Sequence, residues 1–196
     1  MLLRYLSLVF AACMILFLMG PVLAVLPLSF NSGAFLTYPM EGFSGRWYEE
    51  IGNTSSWLHA IENSLKIGVT ATMLATVLGT VAAFGLRGKD LPLIGVIKTL
   101  FLLPMVVPAV VLGVGMQIVF SKIGLANSFW GVVIAHTIVC IPFVLINVLA
   151  ALNSVDSALE KAASSLGARP IRVFFKVVFP LILPGIVVGA VFAFAI

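Results

Sequence analysis

Residues 153–180 read Asn-Ser-Val-Asp-Ser-Ala-Leu-Glu-Lys-Ala-Ala-Ser-Ser-Leu-Gly-Ala-Arg-Pro-Ile-Arg-Val-Phe-Phe-Lys-Val-Val-Phe-Pro. Ser157, followed three residues later by Glu160, forms a capping-box pair that starts a helix. Ala158, Leu159, Ala162, Ala163 and Leu166 then share one helical face. Gly167 stands where a left-handed residue ends a helix, and Pro170 suits the first turn of the next. That second helix is basic and apolar, and Pro180 is expected to close it. The segment therefore predicts a helix, a tight glycine turn and a second helix. Small side chains let another backbone approach closely, so the first helix reads as a knob for a cleft in a partner. The competing reading is an amphipathic helix resting on a lipid surface.

The sequence on either side of this segment is apolar. The chain has 196 residues, 62% hydrophobic and 9% charged, with a mean hydropathy of +1.22. A soluble domain carries about 25% charged residues. The shortage of charge places the chain in lipid. Five apolar runs are predicted as spans: 5–28, 65–86, 93–120, 129–152 and 181–196. Residues 153–180 join the fourth to the fifth. A span needs about 20 residues, and the fifth run is still apolar at Ile196. The first run follows Arg4 as a signal peptide would, but it exceeds the usual h-region and no clear Ala-x-Ala site follows. It is read as a retained helix.

Charge sets the expected orientation. With the N-terminus in the cytoplasm, Arg4, Arg87, Lys89, Lys98, Lys161, Arg169, Arg172 and Lys176 fall inside. Arg46, Lys66 and Lys122 fall outside. This asymmetry satisfies the positive-inside rule. The scattered basic residues form no patch of the kind nucleic acid requires. Cys13 and Cys140 lie in separate apolar runs and make neither a disulfide framework nor a metal cluster. Gly88-Lys89 is followed by Asp90 and lacks the earlier glycine of a phosphate-binding loop. The chain is expected to be no enzyme, to carry no cofactor and to have no catalytic residue. A membrane-embedded enzyme would need clustered His, Asp or Glu in the spans, and these offer only His136.

Three further features bear on a solute path. Pro104 and Pro108 in the third run each remove a backbone donor and should kink or break the helix. Such breaks occur beside translocation paths and also in ordinary kinked helices. His136 is an ionisable group inside a span, which makes it a functional candidate or a structural hydrogen-bond donor. Gly185, Gly189 and Ala193 recur every four residues as a small-residue face. The outer segment 29–64 is turn-rich and carries Trp47, Tyr48 and Trp57, which suit a membrane–water interface. Residues 57–63 are predicted as a short interfacial helix leading into the second span.

The 153–180 segment resembles the loop of permease subunits of bacterial ATP-binding-cassette importers. Their motif is Glu-Ala-Ala, three residues, Gly, nine residues, Ile, one residue, Leu-Pro. Ala162, Ala163, Gly167, Val177, Phe179 and Pro180 stand at matching positions, while Lys161 occupies the glutamate's place with Glu160 just before it. The outer segment from Gly42 to Glu50, Asn63-Ser-Leu, Pro104 to Pro108 and Val111-Leu-Gly113 look like the spermidine/putrescine branch. Importers of iron, opines and aminoethylphosphonate have similar sequences.

The resemblance implies an all-α membrane protein, a single MetI-like type I permease bundle over 1–196 in the bacterial inner membrane. It also implies a sixth span beyond Ile196. The expected partners are ATPase subunits, a second, non-identical permease, a periplasmic substrate-binding protein and the bilayer. Within this resemblance Glu160, Lys161, Ala162, Ala163, Gly167 and Pro180 are the expected coupling residues. Pro104, Pro108 and His136 are candidates for the solute path. An ATP-independent channel is the alternative; its filter would use carbonyls or charges, and it has no reason for the Ala-Ala/Gly/Pro spacing.

Overall fold

The computed structural model describes residues 2–88 and 93–196, with side chains from Arg4 onward. Lys89 and Asp90, used above for orientation and for the phosphate-loop comparison, lie outside the described residues. The helices are α1 (Leu2–Leu28), α2 (Arg46–Asn53), α3 (Ser55–Leu86), α4 (Ile94–Val106) and α5 (Ala109–Lys122). They are followed by α6 (Phe129–Ser154), α7 (Ser157–Ser165), α8 (Pro170–Val173), a π-helical turn (Phe174–Val178) and α9 (Phe179–Ala195). Among the described residues the only β-type pairing is one antiparallel bridge between Asn31 and Phe43.

Among the described residues four stretches are long and apolar enough to cross a membrane: Arg4–Leu28, Ser55–Leu86, Phe129–Ser154 and Pro170–Ala195. The α4–α5 pair is a fifth if it counts as one broken span. The apolar spans read from composition, and the all-α membrane architecture implied by the resemblance, are thus present. The helices form two compact units, Met1–Glu62 and Asn63–Ile196.

The first unit holds α1, α2 and the turn-rich segment between them. Asn31 is buried at its centre. Its side-chain oxygen accepts from the backbone N–H groups of Gly33 and Glu41, each at 3.2 Å, and its amide donates to the Phe35 carbonyl at 2.9 Å. The Trp47 indole N–H donates to the Asn31 carbonyl at 3.1 Å, and Arg46 donates to the Gly33 carbonyl at 2.6 Å. Buried Asn31 thus has its side-chain donor and acceptor both paired, as a polar group withdrawn from water requires. The aromatic Trp47 predicted for an interface therefore also serves as a clasp.

In the second unit the core is built by α3, α6 and α9. Val144, Leu145, Val148 and Leu152 of α6, Ala75 and Ala83 of α3, and Ile182 and Ala193 of α9 are buried together. In lipid, helices gain little from hydrophobicity alone and associate through close packing of small residues. The small-residue face of α9 is used in this way. Gly185 and Gly189 lie against Asn147, Ala151 and Val144 of α6, and the Cys140 thiol donates to the Ala193 carbonyl at 3.2 Å. Gly79 of α3 does the same from the other side: a methyl there would stand 2.8 Å from the Val144 Cβ.

Three sequence expectations are corrected, and one is borne out. Residues 57–63 form no separate interfacial helix; they belong to the 32-residue α3. The third run breaks, as its prolines predict, into two helices bent by 104°. The cap of α7 is Asp156, whose carboxylate accepts from the Ala158 N–H at 2.8 Å, so Ser157 is already inside the helix and the capping box does not form. Finally, Pro180 does not close a helix. The chain runs on through the π-helical turn into α9, giving a continuous stretch from Pro170 to Ala195. Proline lacks the N–H for the usual i to i−4 bond, and the widened turn just before it is one way to accommodate that loss.

Candidate functional site: an exposed helix face and a broken helix

Two places in the second unit gather the residues singled out above. The first is α7. Its N-terminus is closed by Asp156. Its C-terminus ends in a complete Schellman arrangement. The Gly167 N–H donates to the Ser164 carbonyl at 3.0 Å, and the Ala168 N–H donates to the Ala163 carbonyl at 3.1 Å. Gly167 has φ +81°, as the position required, and open space surrounds it. The glycine is needed for backbone conformation and not for room.

A short helix on a protein normally turns its apolar side to the core. In α7 that side faces away. Ala158, Leu159, Ala162 and Leu166 are all exposed, Leu159 at 48% and Leu166 at 89%. Ala163, on the edge of the same face, is half-buried. On the opposite side Glu160 is half-buried and meets Arg87, just past the end of α3, at 2.6 Å. Glu160, Lys161, Ser164 and Ser165 line a cavity of about 580 Å³ whose other wall includes Phe84, Arg87 and Phe174. The Phe84 and Phe174 rings meet edge to face at 5.1 Å. Arg87 is the residue that sequence reading missed. It was counted only for membrane orientation, and its partner lies 73 positions away.

Pro180 stands apart from α7, at the second position of α9. The six expected coupling residues therefore divide. Glu160, Lys161, Ala162, Ala163 and Gly167 belong to α7 or its terminus, whereas Pro180 lies beyond the π-helical turn.

The second place is the break between α4 and α5. Val107 is extended (φ −72°, ψ 131°), as expected for a residue before proline, and Pro108 follows at φ −54° and ψ 132°. Pro104 sits inside α4 and does not break it. Pro104, Pro108 and His136 come together on one cavity of about 660 Å³. Met105, Leu112, Met116, Phe143 and Ile196 complete much of its apolar wall. His136 is exposed and, among the described residues, is the only ionisable side chain on that wall. It also lines a smaller cavity of about 240 Å³ beside Gly68 and Phe194. The proline pair and the histidine, singled out in different spans, are thus neighbours. Among the described residues no group of three His, Cys, Asp or Glu side chains could hold a metal ion.

Residues 75–196 match the family model described as binding-protein-dependent transport system inner membrane component. The chain belongs to that family. Its members are permease subunits of the inner membrane, which agrees with the membrane-spanning helices found here.

The spermidine/putrescine transport system permease protein PotC of Haemophilus influenzae is 30% identical over 90% of this chain and 68% of its own length. The putrescine transport system permease protein PotI of Escherichia coli is 32% identical over 92% of this chain and 66% of its own. The molybdenum transport system permease protein ModB of Mycobacterium bovis is 35% identical over 72% of this chain and 58% of its own. The chain spans about two thirds of the length of the polyamine permeases it matches. In fold it is similar to a chain in the crystal structure of a bacterial ABC transporter that imports the polysaccharide alginate. The TM-score is 0.69 at 16% identity, over 99% of this chain and 70% of that one.

Proposed function

We propose that this chain is a pathway-forming subunit of an ATP-driven importer and that α7 is the helix on which a separate ATPase docks. The observation that carries the reading is the outward-turned apolar face of α7, with Leu166 at 89% exposure. A face of Ala158, Leu159, Ala162 and Leu166 left in water forfeits burial worth about 25 cal/mol per Å². A partner groove recovers it. The fixed caps at both ends of α7 reduce the ordering cost of docking. Membership of the importer permease family supports the same partner.

ATP closure in such a partner need only favour one of two conformations, so α7 transmits a free-energy difference and performs no chemistry. The solute would pass the cavity at the α4–α5 break, where Pro104, Pro108 and His136 meet. Polyamines are the first candidates for the solute because PotC and PotI are among the relatives. ModB keeps a different solute in play. A second permease subunit and a periplasmic binding protein complete the proposed assembly, and residues 1–196 act as one permease domain with 153–180 as its coupling loop.

The test is purification of the tagged full-length protein from its native membranes in mild detergent, with partners identified by mass spectrometry. Recovery of an ATP-binding-cassette ATPase and a second permease is expected. Recovery of the stable protein with no ATPase would overturn the docking role and favour α7 as a lipid-surface helix in a channel.

A further inference from the structure

The family's loop motif places a glutamate before the two alanines, and this chain has Lys161 there with Glu160 one position earlier. One residue on a helix is a rotation of about 100°, so the carboxylate leaves the face that a glutamate at 161 would occupy. Its destination is internal. The Glu160 carboxylate accepts from the Arg87 guanidinium at 2.6 Å, with the two side chains only 32% and 26% exposed. A charge-assisted contact of this length, partly withdrawn from water, is stronger than a surface pair. Beside it the Phe84 ring packs edge-on to Phe174 of the π-helical turn. The Arg87 end of α3 is thus joined to both sides of the 153–180 segment, by an ion pair to α7 and by an aromatic contact beyond Pro170.

Further along α3, Gly79 is packed so tightly on Val144 that no methyl fits between them. Interdigitated helices with no free space move together. A displacement at α7 therefore has a continuous route to α3 and then to α6, which carries His136.

We propose that Arg87 and Glu160 form a strut that makes α7 move with α3, and that the Glu160 carboxylate serves this internal contact and not the ATPase. This rests on the docking reading above. Arg87 is accordingly a positioning residue: it touches neither solute nor nucleotide, and acts through α7.

The experiment uses the complete transporter in proteoliposomes, comparing wild type, Arg87→Glu, Glu160→Arg and the exchanged double variant R87E/E160R. Three quantities are read: ATPase recovered with the permease, ATP hydrolysed, and solute taken up per ATP. Each single variant is expected to keep the ATPase bound while uptake per ATP falls roughly ten-fold, equivalent to about 1.4 kcal/mol. The double variant is expected to recover most of that loss. Arg87→Lys, which keeps the charge but loses the planar fork, should fall in between.

Unchanged uptake per ATP in both single variants overturns the strut. Loss of bound ATPase in Glu160→Arg alone, unrelieved by the exchange, also overturns it, because the carboxylate would then be facing the ATPase. If wild type itself retains no ATPase, the docking reading has failed, an outcome distinct from either of these.

Discussion

Gly185 of α9 rests on Ala151 of α6 so closely that a methyl group on the glycine would stand 2.6 Å from the alanine Cβ and 2.9 Å from the Asn147 carbonyl oxygen. Neither neighbour is the loose end of a flexible chain. The helices would have to part, and overpacking of this kind costs about 1–3 kcal/mol or more. Gly185→Val is therefore expected to lower the thermal unfolding temperature in detergent and the amount of protein in the membrane. Gly85→Ala is the matched control, since nothing lies within 4 Å of that glycine. It should be neutral or stabilising by up to about 1 kcal/mol.

Gly167 fails for a different reason when replaced. Its surroundings are empty, but φ +81° disfavours any L side chain. The penalty is about 1–2 kcal/mol, confined to the turn that ends α7. Gly167→Asp is expected to abolish uptake and release the ATPase while the protein stays in the membrane at normal abundance. Quantitative blotting of membranes alongside the uptake assay checks this. Normal uptake in this variant would remove Gly167 from the coupling machinery.

The exposed face of α7 offers a direct test of docking. Leu159→Asp and Leu166→Asp place a carboxylate where the free chain already meets water, so the isolated subunit should be unaffected. In a complex the same carboxylates would be buried without partners, at several kcal/mol each. Loss of co-purified ATPase with unchanged subunit stability is the expected result. Retention of the ATPase by both variants would mean that the docking surface lies elsewhere.

Much of this was legible in the sequence, for reasons that are local. Composition and apolar run length are enough to place helices in lipid. Gly167 followed by Pro170 announces a left-handed turn and a new helix within four residues. Gly185, Gly189 and Ala193 carry their spacing in plain view. What stayed hidden depended on contacts or on competing local choices. Asp156 and Ser157 are both good caps, and only the backbone at Asp156 (φ −66°, ψ 122°) shows which was used. Pro180 looked like a stop because an ordinary helix would lose its bond there, and the π-helical turn from Phe174 was not foreseeable from propensity. The partnership of Arg87 with Glu160 crosses 73 positions, and nothing near Arg87 in the sequence points to Glu160. That Pro104 and Pro108 share one wall with His136 of another helix was likewise invisible, although all three had been singled out.

That meeting gives the last prediction. Among the described residues His136 is the single ionisable side chain on a cavity otherwise walled by groups such as Met105, Leu112, Met116 and Phe143. If solute passes this wall, the imidazole is the one side chain there with a strong hydrogen bond to offer it. His136→Leu keeps the bulk, removes that bond and adds nothing charged. A lost neutral hydrogen bond is worth about 0.5–1.5 kcal/mol, which sets the expected rise in uptake KM at up to roughly ten-fold. ATPase recovery and membrane abundance should stay normal, because α7 lies elsewhere and the leucine suits the apolar wall. His136→Gln, which restores a donor and an acceptor, should regain part of the affinity. Were both variants to transport with unchanged KM, the cavity at the α4–α5 break would not be the solute path, and His136 would be left as a wall residue that happens to carry a ring nitrogen.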